Sequence, residues 1–325
     1  MFLTVLLLLA GFAILIKGAD FLVNGASSAA KKYGISNLAI GLTVVAFGTS
    51  MPELIVSLLS SLDGKNDASF GNVIGSNNFN LLFILGISGI IYPLVVQRNT
   101  VKFEVPLSLL AAGVLFLLVN DALVLGGTEN LLSRIDAFIL LAFFVGFLLY
   151  IYRTMKSSTA LDEGEPIKIY SMPISVGMVT LGLVMLIGGG KLVVDSAIEI
   201  AQSFGLSEKI IGLTILAAGT SLPELATSAV AAYRKNTDIA IGNVVGSNIF
   251  NIFFILGICG LVNPIPFNTA LNFDLKVLMA STVVLMVFMF TLTQRKLDRW
   301  EAIMLLAGYV AYTVFLVGME EGLAG

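Results

Sequence analysis

Two glutamates, Glu53 and Glu224, each follow a proline inside a long apolar stretch. Both belong to the same seven-residue block, Gly-Thr-Ser-x-Pro-Glu-Leu, which occupies residues 48–54 and 219–225. Proline removes a helical hydrogen bond and disfavours helical geometry in the residue before it, so each stretch should break there. An ionised carboxylate is costly in an apolar interior unless it is paired or coordinated. No basic residue lies close in sequence to either glutamate, so two such groups that converge would need cations between them.

A second duplicated block, Gly-Asn-Val-x-Gly-Ser-Asn-x-Phe-Asn, occupies residues 71–80 and 242–251. Its last asparagine follows its serine by four positions, so the two side chains share one helical face. The two kinds of block supply only hard oxygen atoms, which suit calcium and also sodium, whereas zinc and copper fit poorly. The predicted ligand set is Glu53, Glu224, Asn80, Asn251, Thr49, Thr220, Ser50, Ser221, Ser76 and Ser247, with freed backbone carbonyls near Ala46 and Ala217. The remaining asparagines of the block are interpreted as amides that pack helices together: Asn72, Asn77, Asn243 and Asn248.

The composition indicates that lipid surrounds these blocks. Hydrophobic residues make up 57% of the chain and charged residues 12%, whereas a soluble domain is about a quarter charged. About ten apolar stretches are each long enough to span a bilayer as a helix: 2–24, 37–61, 69–92, 103–120, 131–152, 172–195, 210–233, 239–262, 274–293 and 300–318. We therefore predict an all-α integral membrane protein with ten transmembrane helices, of which the second and seventh are broken.

The two halves of the chain are copies of one unit. Residues 41–86 align without a gap on residues 212–257, and about half of the aligned positions are identical. Because each half has an odd number of spans, the second half should enter the membrane inverted, a layout typical of secondary transporters. The predicted loops carry twelve Lys and Arg residues on one side and four on the other. The positive-inside rule then places both termini outside the cell membrane, with repeats at 1–152 and 172–325 joined by a cytoplasmic linker at 153–171.

The residue types that are missing exclude several functions. The chain has no histidine and one cysteine, Cys259, so it has no serine–histidine pair, no thiolate metal cage and no internal disulfide. We expect no enzyme activity, no cofactor, no nucleic-acid binding and no obligatory protein partner. A passive calcium channel would use the same oxygens, but it would not need an inverted duplication.

The two blocks, each present twice, resemble the α-repeats of the sodium/calcium exchanger family, and the whole chain is similar to the compact prokaryotic members. The resemblance implies that Glu53 and Glu224 bind calcium together with the backbone carbonyls of Thr49 and Thr220. It implies flanking sodium sites at Ala46, Ser50 and Ser76 and at Ala217, Ser221 and Ser247, with Asn80 and Asn251 lining the middle. It also implies an antiporter that exchanges three sodium ions for one calcium ion by alternating access, with net charge movement. The long first and sixth spans are the candidates for the moving helices.

Three further expectations follow from particular residues. Some relatives, including potassium-dependent exchangers, carry aspartate where this chain has Asn251, so the resemblance argues against potassium co-transport. A proton/calcium antiporter remains the alternative, because a buried glutamate can carry a proton instead of sodium; that branch typically has Gly-Asn-x-x-Glu where this chain has Gly-Thr-Ser-x-Pro-Glu. Finally, the repeat-equivalent residues Asp20 and Lys191 are expected to reach the membrane interface from near the ends of their spans.

Overall fold

A computed structural model describes residues 2–124, 126, 129–154, 168–204, 217–291 and 293–322, and it is almost entirely helical. Eleven helices carry the fold: α1 (Phe2–Tyr33), α2 (Asn37–Thr49), α3 (Met51–Leu62), α4 (Asn66–Ile91), α5 (Thr100–Val119), α6 (Arg134–Thr154), α7 (Met172–Ser203), α8 (Leu222–Tyr233), α9 (Thr237–Val262), α10 (Thr269–Phe288) and α11 (Arg299–Gly322). Short helical turns lie at Asp121–Val124 and Ala217–Gly219. The prediction of an all-α membrane protein is therefore confirmed.

Eight of these helices are long and apolar enough to cross a membrane, and the bent pair of α2 and α3 makes a ninth span within the described residues. The predicted seventh span, 210–233, is described only from Ala217 onward. The count of ten is consistent with this arrangement and stays a prediction. The middle of the predicted linker, 155–167, also lies outside the described residues.

The first and sixth spans are longer than the sequence analysis placed them. Apolar residues end near 24 and 195, but α1 continues to Tyr33 and α7 to Ser203. In the added segment of α1, Ala26, Ser27, Ser28 and Ala30 are buried, whereas the last three residues, Lys31, Lys32 and Tyr33, are exposed. Gly34 then ends the helix with a φ of 64°, a conformation that glycine adopts without steric cost. Hydropathy alone missed these segments because polar and charged residues interrupt their apolar ones.

Helices α4 and α9 form the centre of the molecule. In their most apolar windows 72% and 83% of the residues are buried, compared with 28% for α1. Glycines let α9 approach α2 closely: a Cβ on Gly242 would lie 3.0 Å from the Leu38 carbonyl oxygen, and one on Gly246 would lie 2.8 Å from the Leu42 carbonyl oxygen. These two central helices carry the second duplicated block, so they place its polar side chains deep within the apolar span.

Two short antiparallel strand pairs join the halves at their loops. Strand β1 (Leu94–Val95) pairs with β4 (Lys296–Leu297), and β2 (Leu131–Leu132) pairs with β3 (Ile265–Pro266). Each pair joins one strand from each half of the chain. The halves are thus tied at their loops as well as through the central helices.

Candidate functional site

The predicted break of the second span lies between α2 and α3, which meet at an angle of 47°. Ser50 occupies the junction with φ −82° and ψ 7°. Pro52 has no N–H, so the carbonyl of Gly48 loses its helical donor. Glu53 consequently lies in the first turn of α3, at the positive end of the helix dipole. In the second half, Ser221 has φ −91° and ψ 8°, and Glu224 lies in the first turn of α8.

Each glutamate is held by a serine from the opposite half of the chain. Ser50 Oγ donates to Glu224 Oε1 at 2.9 Å, and Ser221 Oγ donates to Glu53 Oε1 at 2.8 Å. Ser76 Oγ adds a longer bond to Glu53 Oε1 at 3.4 Å and lies 3.0 Å from Ser221 Oγ. The structure therefore brings both glutamates and three of the predicted serines into one cluster, which sequence spacing alone did not require.

Asn72 and Asn243 fix the backbone of the two glutamates. Asn72 Nδ2 donates to the Glu53 carbonyl at 3.2 Å, and Asn243 Nδ2 donates to the Glu224 carbonyl at 3.3 Å. Their side-chain oxygens accept from threonines of the opposite half: Thr220 Oγ1 at 3.2 Å from Asn72 and Thr49 Oγ1 at 3.0 Å from Asn243.

The sequence analysis did not assign the two asparagines Asn72 and Asn243 this role. The only signal for this role in the sequence was that both asparagines occur at equivalent positions of the duplicated block, close to the serine–asparagine pair.

Four amide side chains join α4 to α9. Asn77 Nδ2 donates to the Asn248 carbonyl, and Asn248 Nδ2 donates to the Asn77 carbonyl, both at 3.2 Å. The same two residues accept from the predicted ligands, since Asn80 Nδ2 donates to Asn248 Oδ1 at 3.0 Å and Asn251 Nδ2 donates to Asn77 Oδ1 at 2.9 Å. Because each ligand amide donates through its nitrogen, its oxygen is directed elsewhere.

Both asparagines predicted as ligands, Asn80 and Asn251, lie in π-helical segments, Phe79–Ile84 and Phe250–Leu256. A π-helical turn inserts extra residues into a helix and re-aims its side chains, and such turns are frequent at functional sites. The i, i+4 spacing placed each asparagine on the face of its serine, but it gave no sign of the wider turn.

Five buried oxygen atoms of the candidate ligands accept no hydrogen bond from any residue that the structure describes. They are Glu53 Oε2, Glu224 Oε2, Asn80 Oδ1, Asn251 Oδ1 and Ser247 Oγ. All five residues are at most 1% exposed, and a buried polar atom without a partner costs about 1–3 kcal/mol. None of the ion pairs among the described residues includes either glutamate. This donor set fits cations such as calcium, which take carboxylate and amide oxygen ligands.

The prediction for the carbonyl near Ala46 was wrong in one respect. The Ala46 carbonyl is not freed by the helix break, since it accepts from Ser50 N at 3.0 Å and from Thr49 Oγ1 at 3.3 Å. The break lies at Ser50, where the proline predicted it, but the Ala46 carbonyl belongs to the last intact turn of α2 before the break. Ala217 begins the short turn Ala217–Gly219, and its side chain lies outside the described residues.

Comparison with known proteins agrees with this geometry. A family model described as "Sodium/calcium exchanger protein" matches residues 3–153 and 174–318. The chain is 36% identical to a putative antiporter, CaxA, of Alkalimonas amylolytica, over 97% of this chain and 99% of that protein. It is 33% identical to the sodium/calcium exchanger MaX1 of Methanosarcina acetivorans, over 96% and 97% of the two chains.

Solved structures of the sodium–calcium exchanger NCX_Mj also match. One of them superposes with a TM-score of 0.80 at 33% identity, covering 96% of this chain and 98% of that chain. Both the sequence and the fold are thus matched along nearly the entire length. The chain belongs to the sodium/calcium exchanger family, whose members are membrane transporters and not enzymes.

Proposed function

We propose that this protein exchanges sodium for calcium across the cell membrane, with both ions bound between Glu53 and Glu224. The observation that carries the proposal is the set of five buried, unpartnered oxygens contributed by both halves of the chain. The resemblance to the family and the named relatives supports sodium and calcium as the transported ions. The remaining predicted ligands, Ser50, Ser221, Ser76, Thr49 and Thr220, then complete or orient the coordination shell.

Charge balance determines the net charge of the site with each load of ions. The candidate site has two formal negative charges, because Asn80 and Asn251 are neutral. One calcium ion balances them, and three sodium ions leave one positive charge in excess. A site loaded with three sodium ions in one direction and one calcium ion in the other moves net charge, so exchange at that stoichiometry is electrogenic.

The cost of the empty site makes the cycle an exchange and not a leak. Two uncompensated carboxylates in an apolar interior are expensive, so the ion-free protein should not cross the occluded state. Each return must therefore carry one of the two loads. Alternating access would come from movement of α1 and α7 against the other helices, which hold the glutamates. A passive calcium channel has no need of this coupling.

We also infer how the protein is oriented in the membrane. We infer inverted repeats at 1–152 and 172–325, with the linker 153–171 in the cytoplasm and both termini outside. The basic loop residues support this orientation, since Lys31 and Lys32 end α1 and Arg234 follows α8 on the side predicted to be cytoplasmic.

The test is calcium-45 uptake into proteoliposomes with sodium, potassium and proton gradients imposed separately. We expect uptake to follow an outward sodium gradient. An inside-positive membrane potential should enhance it, because three sodium ions leave for each calcium ion that enters. Glu53→Gln and Glu224→Gln should each abolish it, since each removes one of the two charges that calcium balances. The matched control is Glu104→Gln, which alters a buried glutamate that accepts from Tyr150 outside the site and should leave uptake close to wild type.

Three results would contradict the proposal. Uptake driven only by protons would favour the proton/calcium alternative, and uptake indifferent to every opposing gradient would favour a channel. Robust sodium-driven uptake by a correctly folded Glu53→Gln variant would remove the site itself.

A further inference from the structure

Helices α1 and α7 pack together as one unit along a seam of small residues. A Cβ on Gly18 would lie 2.9 Å from the Gly182 carbonyl oxygen, and one on Gly25 would lie 2.8 Å from the Ser175 carbonyl oxygen. The ends of the seam carry hydrogen bonds, from Thr4 Oγ1 to Glu199 Oε1 at 2.8 Å and between Ser28 Oγ and Ser175 Oγ at 2.9 Å. Backbones this close cannot slide past each other freely, so the two helices should move together.

One ion pair fastens this unit to the helix that carries Glu224. Arg234, the residue after α8, donates to Asp20 through Nη2 and to Asn24 Oδ1 through Nη1 at 2.8 Å. The Arg234 and Asp20 side chains are 31% and 24% exposed. The sequence analysis did not foresee this pair; α1 continues for 13 residues beyond Asp20, and the interfacial position expected for Asp20 stays a prediction.

The other half of the chain carries the equivalent residues with the charges exchanged. Asp20 corresponds to Lys191, Asn24 to Asp195, and Arg234 to Asp63. In this structure Lys191 Nζ contacts Asp195 on its own helix at 3.1 Å, and Asp63 contacts Lys65 at 3.5 Å. The Lys191 and Asp63 side chains are 77% and 61% exposed, so their ion pairs are weak ones that break readily.

We propose that these residues form two latches that close in alternation and position the α1–α7 unit in the two states of the transport cycle. The first latch, Asp20 and Asn24 with Arg234, is closed in this structure. The second latch, Lys191 with Asp63, closes when the unit shifts toward the opposite face of the membrane and the first latch opens. The proposal rests on the alternating access proposed above.

Each latch pairs an acidic residue with a basic one. In the first latch the acidic residue lies on the long helix, and in the second latch it lies on the loop. Because one ion pair replaces another during the movement, neither end state is trapped. Partly exposed ion pairs suit this role, since each contributes little enough to be broken within a cycle. Asp20, Arg234, Lys191 and Asp63 are positioning residues, and none of them contacts the five unpartnered oxygens of the site.

Two isosteric variants test the first and second latches separately: Asp20→Asn and Asp63→Asn. A ligand that binds only one state has an apparent affinity reduced by the fraction of protein in that state. In the proposed cycle, the closed first latch holds the site shut toward the face that carries Arg234 and leaves it available to the face that carries Asp63. Asp20→Asn weakens that state, so the apparent KM for calcium should rise at the face that carries Asp63 and fall at the face that carries Arg234. Asp63→Asn should produce the opposite pair of shifts. We expect each shift to be roughly fivefold, a coupling at the low end of the usual range.

A rescue experiment exchanges the two charges within the first latch. The double variant Asp20→Lys with Arg234→Asp restores an ion pair of the second type, so it should recover the wild-type ratio of the two KM values, whereas Asp20→Lys alone should not. Shifts in the same direction at both faces, or a loss of folded protein without any change in the KM ratio, would overturn the proposal. Wild-type protein that shows no sodium-driven uptake would instead contradict the proposed function.

A cross-linking experiment reads the second latch without transport. In a Cys259→Ala background, which removes the single native cysteine, Lys191→Cys with Asp63→Cys should be joined by a short bis-methanethiosulfonate reagent, detected by mass spectrometry. Asp20→Cys with Arg234→Cys should be joined as well, and prior joining of one pair should prevent joining of the other when all four positions are cysteine. Failure of the Lys191–Asp63 pair to join, or simultaneous joining of both pairs, would refute alternation.

Discussion

Adjacent glycines on α7, Gly188 and Gly189, give a matched test of the α1–α7 seam. A Cβ on Gly189 would lie 2.9 Å from Leu15 N and 3.1 Å from the Gly11 carbonyl oxygen, whereas one on Gly188 would meet nothing within 4 Å among the described residues. Optimal contacts between heavy atoms lie at about 3.5–4.0 Å. Since the close atoms belong to the backbone of α1, that helix would have to retreat by about half an ångström.

We therefore predict that Gly189→Ala destabilises the protein relative to Gly188→Ala. Overpacking of this kind typically costs about 1–3 kcal/mol. Replacing glycine by alanine inside a helix also stabilises by up to about 1 kcal/mol, but both variants gain this term, so it cancels in their difference. The difference in free energy of unfolding should thus be about 1–3 kcal/mol, measured by reversible unfolding in mixed micelles with a denaturing detergent.

The functional counterpart is a slower exchange rate in Gly189→Ala and an unchanged rate in Gly188→Ala, measured as initial calcium-45 uptake. Equal stability of the two variants would refute the close approach of α1 and α7. A destabilised Gly189→Ala with full exchange activity would refute the idea that the two helices move as one unit.

Two further predictions concern the site. Ser50→Ala and Ser221→Ala each remove a hydroxyl that donates to the glutamate of the opposite half, and a hydrogen bond to a charged group contributes about 1.5–3 kcal/mol, so initial uptake should fall at least about tenfold; an unchanged rate would show that these bonds do not orient the carboxylates. Removal of calcium and sodium by chelation and exchange into choline buffer should lower the unfolding temperature of the wild type, because calcium at 100 times its Kd stabilises by about 2.7 kcal/mol. Glu224→Gln should lose most of this dependence, and an ion dependence equal to that of the wild type would place the ions elsewhere.

The candidate site residues could be identified from the sequence because they occur twice. A single glutamate that follows a proline in an apolar stretch has several explanations. The same block repeated 171 positions later favours two glutamates that act together. The membrane environment followed from composition, and the break at Ser50 followed from Pro52. These features depend on local chemistry, which sequence reports directly.

The partners of those residues could not be found in the same way. An internal alignment states that Ser50 is equivalent to Ser221, but it does not state that Ser50 binds Glu224 and not its own neighbour Glu53. That choice depends on how the two halves face each other. The length of α1 was underestimated for a related reason, since hydropathy detects apolar runs, and the end of α1 combines buried small residues with exposed lysines.

The positive-inside rule explains why the two halves agree at the site and differ at the proposed latches. Under the proposed function the ions reach the site from both faces in turn, so the candidate ligands can remain identical in both copies. Arg234 and Asp63 occupy equivalent positions on opposite faces, and under the proposed orientation only the cytoplasmic face favours a basic residue. Once the loop residue has changed sign, its partner on the long helix must change sign as well, which gives Asp20 opposite Arg234 and Lys191 opposite Asp63. An inverted duplication that keeps both latches must therefore exchange their charges, and this sequence has done so at both positions.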